Sequence, residues 1–266
     1  MLNDDLILRH DTDGVAVLTL NAPKTINALS ESMLAALSSK FDQIAQDSTV
    51  KSVILRSSGS HFCAGHNLKE MTARRADPDG GFQYFQDRFA TRSDMMLRVA
   101  RLPQPVIAEI KGIATAAGCQ LVASCDLAVA AEDATFATSG VNIGLFCSTP
   151  MVALSRNVPR KMAMEMLVLG DFLPAARMAE MGLVNWVVPL DALEQTSMKM
   201  ARRIADRSGS AVKIGKRAFY EQAEMSFEQA YTFAGRTMAE NMMARDAYAG
   251  IGAFTRKEPM PDWTGA

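Results

Sequence analysis

Two stretches of this 266-residue chain carry backbone chemistry in their spacing. One is His61-Phe62-Cys63-Ala64-Gly65-His66-Asn67-Leu68-Lys69-Glu70. The other is Gly112-Ile113-Ala114-Thr115-Ala116-Ala117-Gly118-Cys119-Gln120-Leu121-Val122-Ala123-Ser124-Cys125-Asp126. Each follows β-type residues, passes through a turn of small residues and opens a helix. A helix starting near Ala116 leaves its first amides unpaired and aimed beyond the strand end, where an anion or a polarised carbonyl fits. Two such turns, at Gly65 and Gly118, would present two N–H donors to one oxygen if they converge. That arrangement stabilises an enolate or a tetrahedral oxyanion by about 3 kcal/mol per donor. Small residues here also suit close helix–sheet packing, and spacing alone leaves both uses open.

The elements that must position these turns are legible in the same way. Leu6 to Arg9 and Gly14 to Leu20 predict a hairpin around Asp11-Thr12-Asp13-Gly14. Ser30 predicts an N-cap, opening a helix with Met33, Leu34, Leu37, Phe41 and Ile44 on one face. Ser52 to Arg56 is too apolar for an edge strand, Pro105 to Ile110 reads as extended, and Leu127 to Ala131 reads as a buried strand. Thr135-Phe136-Ala137 is a further short strand. Phe85, Phe89, Met96, Val99 and Ala100 predict a long helix over Phe82 to Arg101, stopped by Pro103 and Pro105.

Arg74 to Gly81 reads as a mobile loop and Gly140 to Pro150 as a second loop. Met162 to Leu169 is a Met-rich helix closed by Gly170. Asp191 with Glu194, and Ser226 with Gln229, have capping-box spacing. Beyond about Ala201 only helices are expected. The chain therefore divides into an α/β core over residues 1–200 and a helical region over residues 201–266.

Composition narrows the function classes. At 48% hydrophobic residues the chain can bury a large core, and a net charge of −1 supplies no global field for nucleic acid or an anionic membrane. Four cysteines without a C-x-x-C pair, and three histidines, argue against a disulfide framework and a metal site. The apolar region from Pro105 to Ala131 is broken by Glu109, Lys111 and Asp126, which argues against a membrane span. Asp4 and Asp5 stand where a signal peptide would be basic, so a cytoplasmic protein is expected. No G-x-G-x-x-G follows a strand and no G-x-S-x-G occurs, which disfavours a dinucleotide fold and a serine-hydrolase elbow.

His61 to Glu70, the central stretch through Ser124-Cys125-Asp126-Leu127-Ala128-Val129-Ala130, and Met181-Gly182-Leu183-Val184-Asn185-Trp186-Val187-Val188-Pro189 together resemble the enoyl-CoA hydratase/isomerase (crotonase) family. The likeness extends over nearly the whole chain. It implies a spiral of ββα units with a helical C-terminal trimerisation region, assembled as a trimer or a hexamer of two trimers. It also implies an acyl-CoA thioester ligand, with coenzyme A entering as part of the substrate and no separate cofactor. The matching oxyanion donors are the N–H groups of His66 and Ala117, the latter standing where the family usually has glycine. The resemblance further assigns CoA contacts to Asn27, Ala28, Ala64, Gly65, Asn67, Leu68, Gly118 and Asn142, with Lys24 a candidate phosphate partner. Phe254 and Lys257 match residues that cover the CoA of a neighbouring subunit.

The departures matter more. A hydratase of this family uses two glutamates, and the matching positions here are Gln120 and Gly140. An amide orients water but exchanges no proton at neutral pH, and glycine has no side chain. Standard hydration is therefore not expected. His66 follows the Ala-Gly of the turn as in a crotonase-family decarboxylase, where no base need remove a proton. That decarboxylase carries a tyrosine on the loop matching Gly140 to Asn142, and none is present here. Ser139, Asn142, Cys147, Ser148 and Glu109 are the other candidates near the missing carboxylates. A thioester-binding protein without turnover is the alternative from a different class.

Overall fold

The computed structural model describes residues 6–265, so Asp4 and Asp5 lie outside the described residues. The expected hairpin forms from β1 (Ile7–Thr12) and β2 (Val15–Leu20). Asp13 and Gly14 between them adopt φ of 50° and 76°, the left-handed pair a two-residue hairpin demands. Ser30 caps α1 (Glu31–Gln46) by accepting the Met33 amide at 3.1 Å. The chain continues through β3 (Ser52–Ser57), α2 (Leu68–Ala73) and α3 (Phe82–Arg101). The segment expected as a loop before α3 is a compact turn, because the Asp79 carboxylate accepts from the Gly81 and Gln83 amides at 2.8 Å.

Next come β4 (Val106–Ile110), β5 (Ile113–Thr115), α4 (Ala117–Ser124), β6 (Leu127–Ala131) and β7 (Thr135–Ala137). The expected loop from Gly140 holds a 3-10 turn, Ser139–Ile143, and ends in α5 (Ser148–Asn157). Pro150 sits in the first turn of α5, where its missing N–H breaks no helix bond. Then follow α6 (Arg160–Leu169), β8 (Leu173–Pro174), α7 (Ala175–Glu180), β9 (Trp186–Val188) and α8 (Leu193–Ala205). The last helices are α9 (Gly209–Gln222), α10 (Phe227–Met242) and α11 (Arg245–Arg256).

The main sheet has the order β1-β2-β3-β4-β6-β9, parallel except for β1. A second sheet, β5-β7-β8, is extended by isolated parallel pairings of Cys63 with Ala114 and of Leu29 with His66. Each coil of the chain thus passes through the main sheet, then the second layer, then into helix: β2 to Leu29 to α1, β3 to His66 to α2, β4 to β5 to α4. This is the spiral of ββα units that the sequence implied. It places the second-layer ends of successive coils, and so successive helix starts, side by side.

Both faces of the main sheet are buried, which explains its unbroken apolar strands. Ala16, Leu18, Val106 and Ala108 face the principal core, whereas Val15, Val17, Ile107 and Val129 face α8. The division expected between residues 200 and 201 falls inside α8, whose Met200 and Ala201 belong to that second core cluster. Asp191 and Glu194 make no capping box: Asp191 lies in a 3-10 turn, and α8 begins without a side-chain cap. The Ser226 amide does donate to Gln229 Oε1 at 3.2 Å at the start of α10.

The helical region is pinned to the core by Asp126. Its Oδ2 accepts from Lys216 Nζ at 2.6 Å and from the Val106 amide at 2.7 Å, and its Oδ1 accepts from the Tyr220 hydroxyl at 3.0 Å. Lys216 Nζ also donates to the Val99 and Gln104 carbonyls at 3.1 Å. One buried carboxylate therefore joins β4, the end of α4 and α9.

Candidate active site

The two glycine turns converge. Thr115 donates its amide to the Cys63 carbonyl at 3.0 Å, and Cys63 donates to the Ile113 carbonyl at 3.0 Å. A β-carbon on Gly118 would stand 2.3 Å from the Cys63 oxygen, and one on Gly65 would stand 3.0 Å from the Ala117 nitrogen. Glycine is required at both places by close backbone approach, and Gly65 also has φ +88°. Ala116, with φ 51° and ψ −118°, holds a strained conformation that turns the chain sharply from β5 into α4. The first intrahelical bond runs from the Gln120 amide to the Ala116 carbonyl, so the Ala117 amide begins the helix free. Neither it nor the His66 amide donates to a protein group among the described residues.

The segment from Lys24 to Ala28 lies along the same edge. The Ala64 amide donates to the Ile26 carbonyl at 2.9 Å and the Leu29 amide to the Gly65 carbonyl at 2.7 Å. Lys24 and Leu68 are exposed, and Ala28, Ala64 and Asn67 are half-buried, forming one strip that leads to the two free amides. Asn67 caps α2 by accepting the Lys69 amide. Asn27 is 0% exposed, so it holds the strip rather than lining it. Its Oδ1 accepts from the Ala22 amide and its Nδ2 donates to the Ser58 and His61 carbonyls.

Gln120 is one turn into α4, buried, with its Oε1 meeting no donor of the protein. It borders a cavity of about 1030 Å³ between α3, α4, α5 and α9, walled by apolar residues including Met96, Leu97, Val152 and Ile214. His66 and Ala117 do not line this cavity. At Gly140 the vacancy expected from a missing side chain is filled, because a β-carbon there would stand 2.3 Å from the Leu145 carbonyl oxygen and 2.9 Å from Cys147 Sγ. The Leu145 amide donates back to the Gly140 carbonyl at 2.9 Å and closes this loop.

The remaining candidates separate. Glu109 shares its strand face with Ile107, toward α8, where its carboxylate accepts the Ser197 hydroxyl and burial pushes its pKa up. It lies on the sheet face opposite the principal core and is no substitute for the missing glutamates. Asn142 donates to the Gly170 carbonyl at 3.1 Å, and Ser139 is paired with Thr115 at 2.8 Å. Burial pushes the Cys63 and Cys119 thiols up to about 12, and raises Cys147 as well, so none is an activated nucleophile. Phe254, 75% exposed, and Lys257 stand on the surface of α11 and its C-cap, away from the strip within one chain.

The His66 imidazole packs edge-on against Phe89 at 5.8 Å, and its Nδ1 has no protein partner. Burial, reinforced by the positive charge of Arg92, lowers its pKa to about 3. The ring is therefore neutral across the physiological range. Arg92 is the residue that sequence reasoning missed. It occupies the apolar stripe Phe85-Phe89-Arg92-Met96-Val99 of α3, and that interruption of the stripe was the available signal.

The fold and the paired amides define a scaffold for holding an acyl oxygen, and comparison with known proteins identifies the lineage. The family model for enoyl-CoA hydratase/isomerase matches residues 10–266, and the chain belongs to that family. It is 42% identical over 252 residues to the enoyl-CoA hydratase domain-containing protein 3, mitochondrial, of Rattus norvegicus, covering 95% of this chain and 82% of the relative. It is 30% identical to the 1,2-epoxyphenylacetyl-CoA isomerase of Escherichia coli, covering 98% and 99%. Among solved structures, an enoyl-CoA hydratase of Mycobacterium smegmatis superposes with a TM-score of 0.92 at 53% identity, covering 97% and 98%. The human enoyl coenzyme A hydratase domain-containing protein 3 gives 0.91 at 42%, covering 96% and 99%. Among the described residues no helix is long and apolar enough to cross a membrane. The mitochondrial name of the rat relative lends no support to the cytoplasmic expectation.

Proposed function

We propose that this chain binds an acyl-CoA or enoyl-CoA thioester and stabilises its enolate, the thioester oxygen accepting hydrogen bonds from the His66 and Ala117 amides. The observation that supports this most is the seating of Gly65 against the Ala117 nitrogen, which brings both free donors to one place. As electrons move toward the thioester oxygen, preorganised amides in a water-poor site stabilise the growing charge more than the ground state. The strip from Lys24 to Leu68 suits pantetheine and nucleotide, with Lys24 available to phosphate. The cavity beside Gln120 offers room for an acyl chain.

Phe254 and Lys257 act in this reading on the CoA of a neighbouring subunit in a trimer or hexamer. The exposed Phe227, Tyr231 and Tyr248 of the last helices favour such an assembly.

Hydration by paired carboxylates is not part of this reading. Gln120 exchanges no proton, and the loop at Gly140 is closed over the second position. A His66 imidazole neutral down to about 3 is also a poor proton donor, which leaves its backbone amide as its main contribution. Thioester binding without turnover draws on the same two positions. The test is calorimetric titration with a non-hydrolysable acyl-CoA, alongside a crotonyl-CoA hydration assay and a panel of enoyl-, malonyl- and hydroxyacyl-CoA thioesters. Binding with hydration at least ~100-fold below a typical kcat of about 10 per second is expected. Absence of binding, or hydration at that typical rate, overturns the proposal. Turnover within the panel separates an enzyme from a binding protein.

A further inference from the structure

Arg92 is 1% exposed, and its Nε, Nη1 and Nη2 atoms meet no hydrogen-bond acceptor of the protein. A guanidinium buried without an acceptor is costly, since desolvation is offset only by pairing with an anion or by hydrogen bonds. The nearby carboxylates are already engaged. Glu31 receives the Tyr84 hydroxyl at 2.5 Å and Arg88 at 3.2 Å, and Glu70 accepts the Glu31 amide at 3.2 Å. What Arg92 does touch is the face of Phe89, with its guanidinium carbon 5.5 Å from the ring centre. The same ring lies 5.8 Å from the imidazole of His66. Arg92 is thus one aromatic ring removed from the residue whose amide is a candidate oxyanion donor. Arg88 and Arg74 flank Tyr84 at 5.6 and 5.1 Å on the outer side, adding positive charge without an anion of their own at the interior end.

We propose that Arg92 is a specificity residue for a second anionic group on the acyl chain, so that the preferred ligands are CoA thioesters of dicarboxylic acids. This rests on the thioester reading above. With the thioester oxygen on the His66 and Ala117 amides, the acyl group extends into the interior, and a terminal carboxylate brings Arg92 the two-pronged acceptor its planar fork fits. A neutral acyl group would leave the guanidinium desolvated and unpaired in the complex. Discrimination follows from that penalty as much as from the new bond.

The test compares full-length wild type and Arg92→Leu by calorimetric titration with length-matched pairs, malonyl-CoA against butyryl-CoA and glutaryl-CoA against hexanoyl-CoA, and with free CoA. Wild type is expected to bind at least one dicarboxylic thioester ~10-fold or more tighter than its neutral match, and Arg92→Leu to bring that ratio close to one. Arg92→Lys, which keeps the charge without the fork, should retain part of it. Equal affinity for both members of each pair in wild type overturns the inference while leaving the thioester reading intact, and that comparison needs no variant. A loss of free-CoA binding in Arg92→Leu equal to the loss for dicarboxylic thioesters would assign Arg92 to the CoA phosphates and also overturn it. Failure of every thioester and of CoA to bind overturns both readings together.

Discussion

Gly65 and Ala117 are in backbone contact: a β-carbon on the first would stand 3.0 Å from the amide nitrogen of the second. The donor that starts α4 and the turn that starts α2 are therefore parts of one surface. Gly65→Ala would also meet the Thr115 oxygen at 2.9 Å, at a φ of +88°. It should push the turns apart and weaken acyl-CoA binding by ~10-fold or more, equivalent to about 1.4 kcal/mol. Calorimetric titration measures this directly. Unchanged affinity would remove the turn from the site.

Gln120→Glu restores one carboxylate in the place where a hydratase of this family has one. Its partner position remains Gly140, so water has no second acid–base group. Crotonyl-CoA hydration should stay at least ~100-fold below a typical kcat of about 10 per second. A steady-state assay that shows efficient hydration in this single variant would mean another group supplies the second proton.

Arg92→Leu replaces an unpartnered buried cation with a side chain that suits the rest of its stripe. Apolar replacement of buried charge is often neutral or stabilising, here by about 1 kcal/mol or more. Thermal unfolding should show an unchanged or raised Tm. A marked fall would show that the guanidinium has a structural partner.

Lys216→Met leaves the Asp126 carboxylate without its cation in a pair whose side chains are 6% and 14% exposed. Breaking a buried pair on one side costs about 3–5 kcal/mol. Denaturant unfolding should report a loss of that order, and α9 should be the first element to lose protection in hydrogen exchange.

His66 gives a pH signature. Its pKa is lowered from 6.5 to about 3 in the folded state, first by burial and then by Arg92. The unfolded chain binds the proton more readily, so the contribution of His66 to stability is present above 6.5 and is lost as pH falls toward about 3. His66→Gln should flatten the fall in Tm over that window relative to wild type, and the wild-type imidazole carbon should show no titration near 6.5 by NMR.

Much of this fold is readable in the chain because its elements state their own environment. Ser30 marks a helix start, and β3, β4 and β6 are apolar on both faces because both faces are covered. The glycine turns were legible as turns. Their meeting was not, since it depends on how successive coils stack, and only the pairing of Cys63 with Ala114 makes it visible. Arg92 escaped for a different reason: a charge on a helix is ordinarily solvated, and here the stripe that surrounds it carries it inside. Pro150 hid the start of α5 by resembling a helix breaker. The break placed at Ala201 followed a change in element type, whereas α8 belongs with the sheet it covers.

The contact between Gly140 and Leu145 gives the loss of hydratase chemistry a direction. A codon change that returned glutamate to residue 140 would put its β-carbon onto a carbonyl oxygen, 2.3 Å away. The ancestral function, if there was one, cannot be recovered by reversing the side-chain replacements one at a time. The path of the loop has become the record of the change and works as a ratchet. For an engineer the order of operations is set: rebuild residues 140–147 first, and only then ask what a carboxylate can do there.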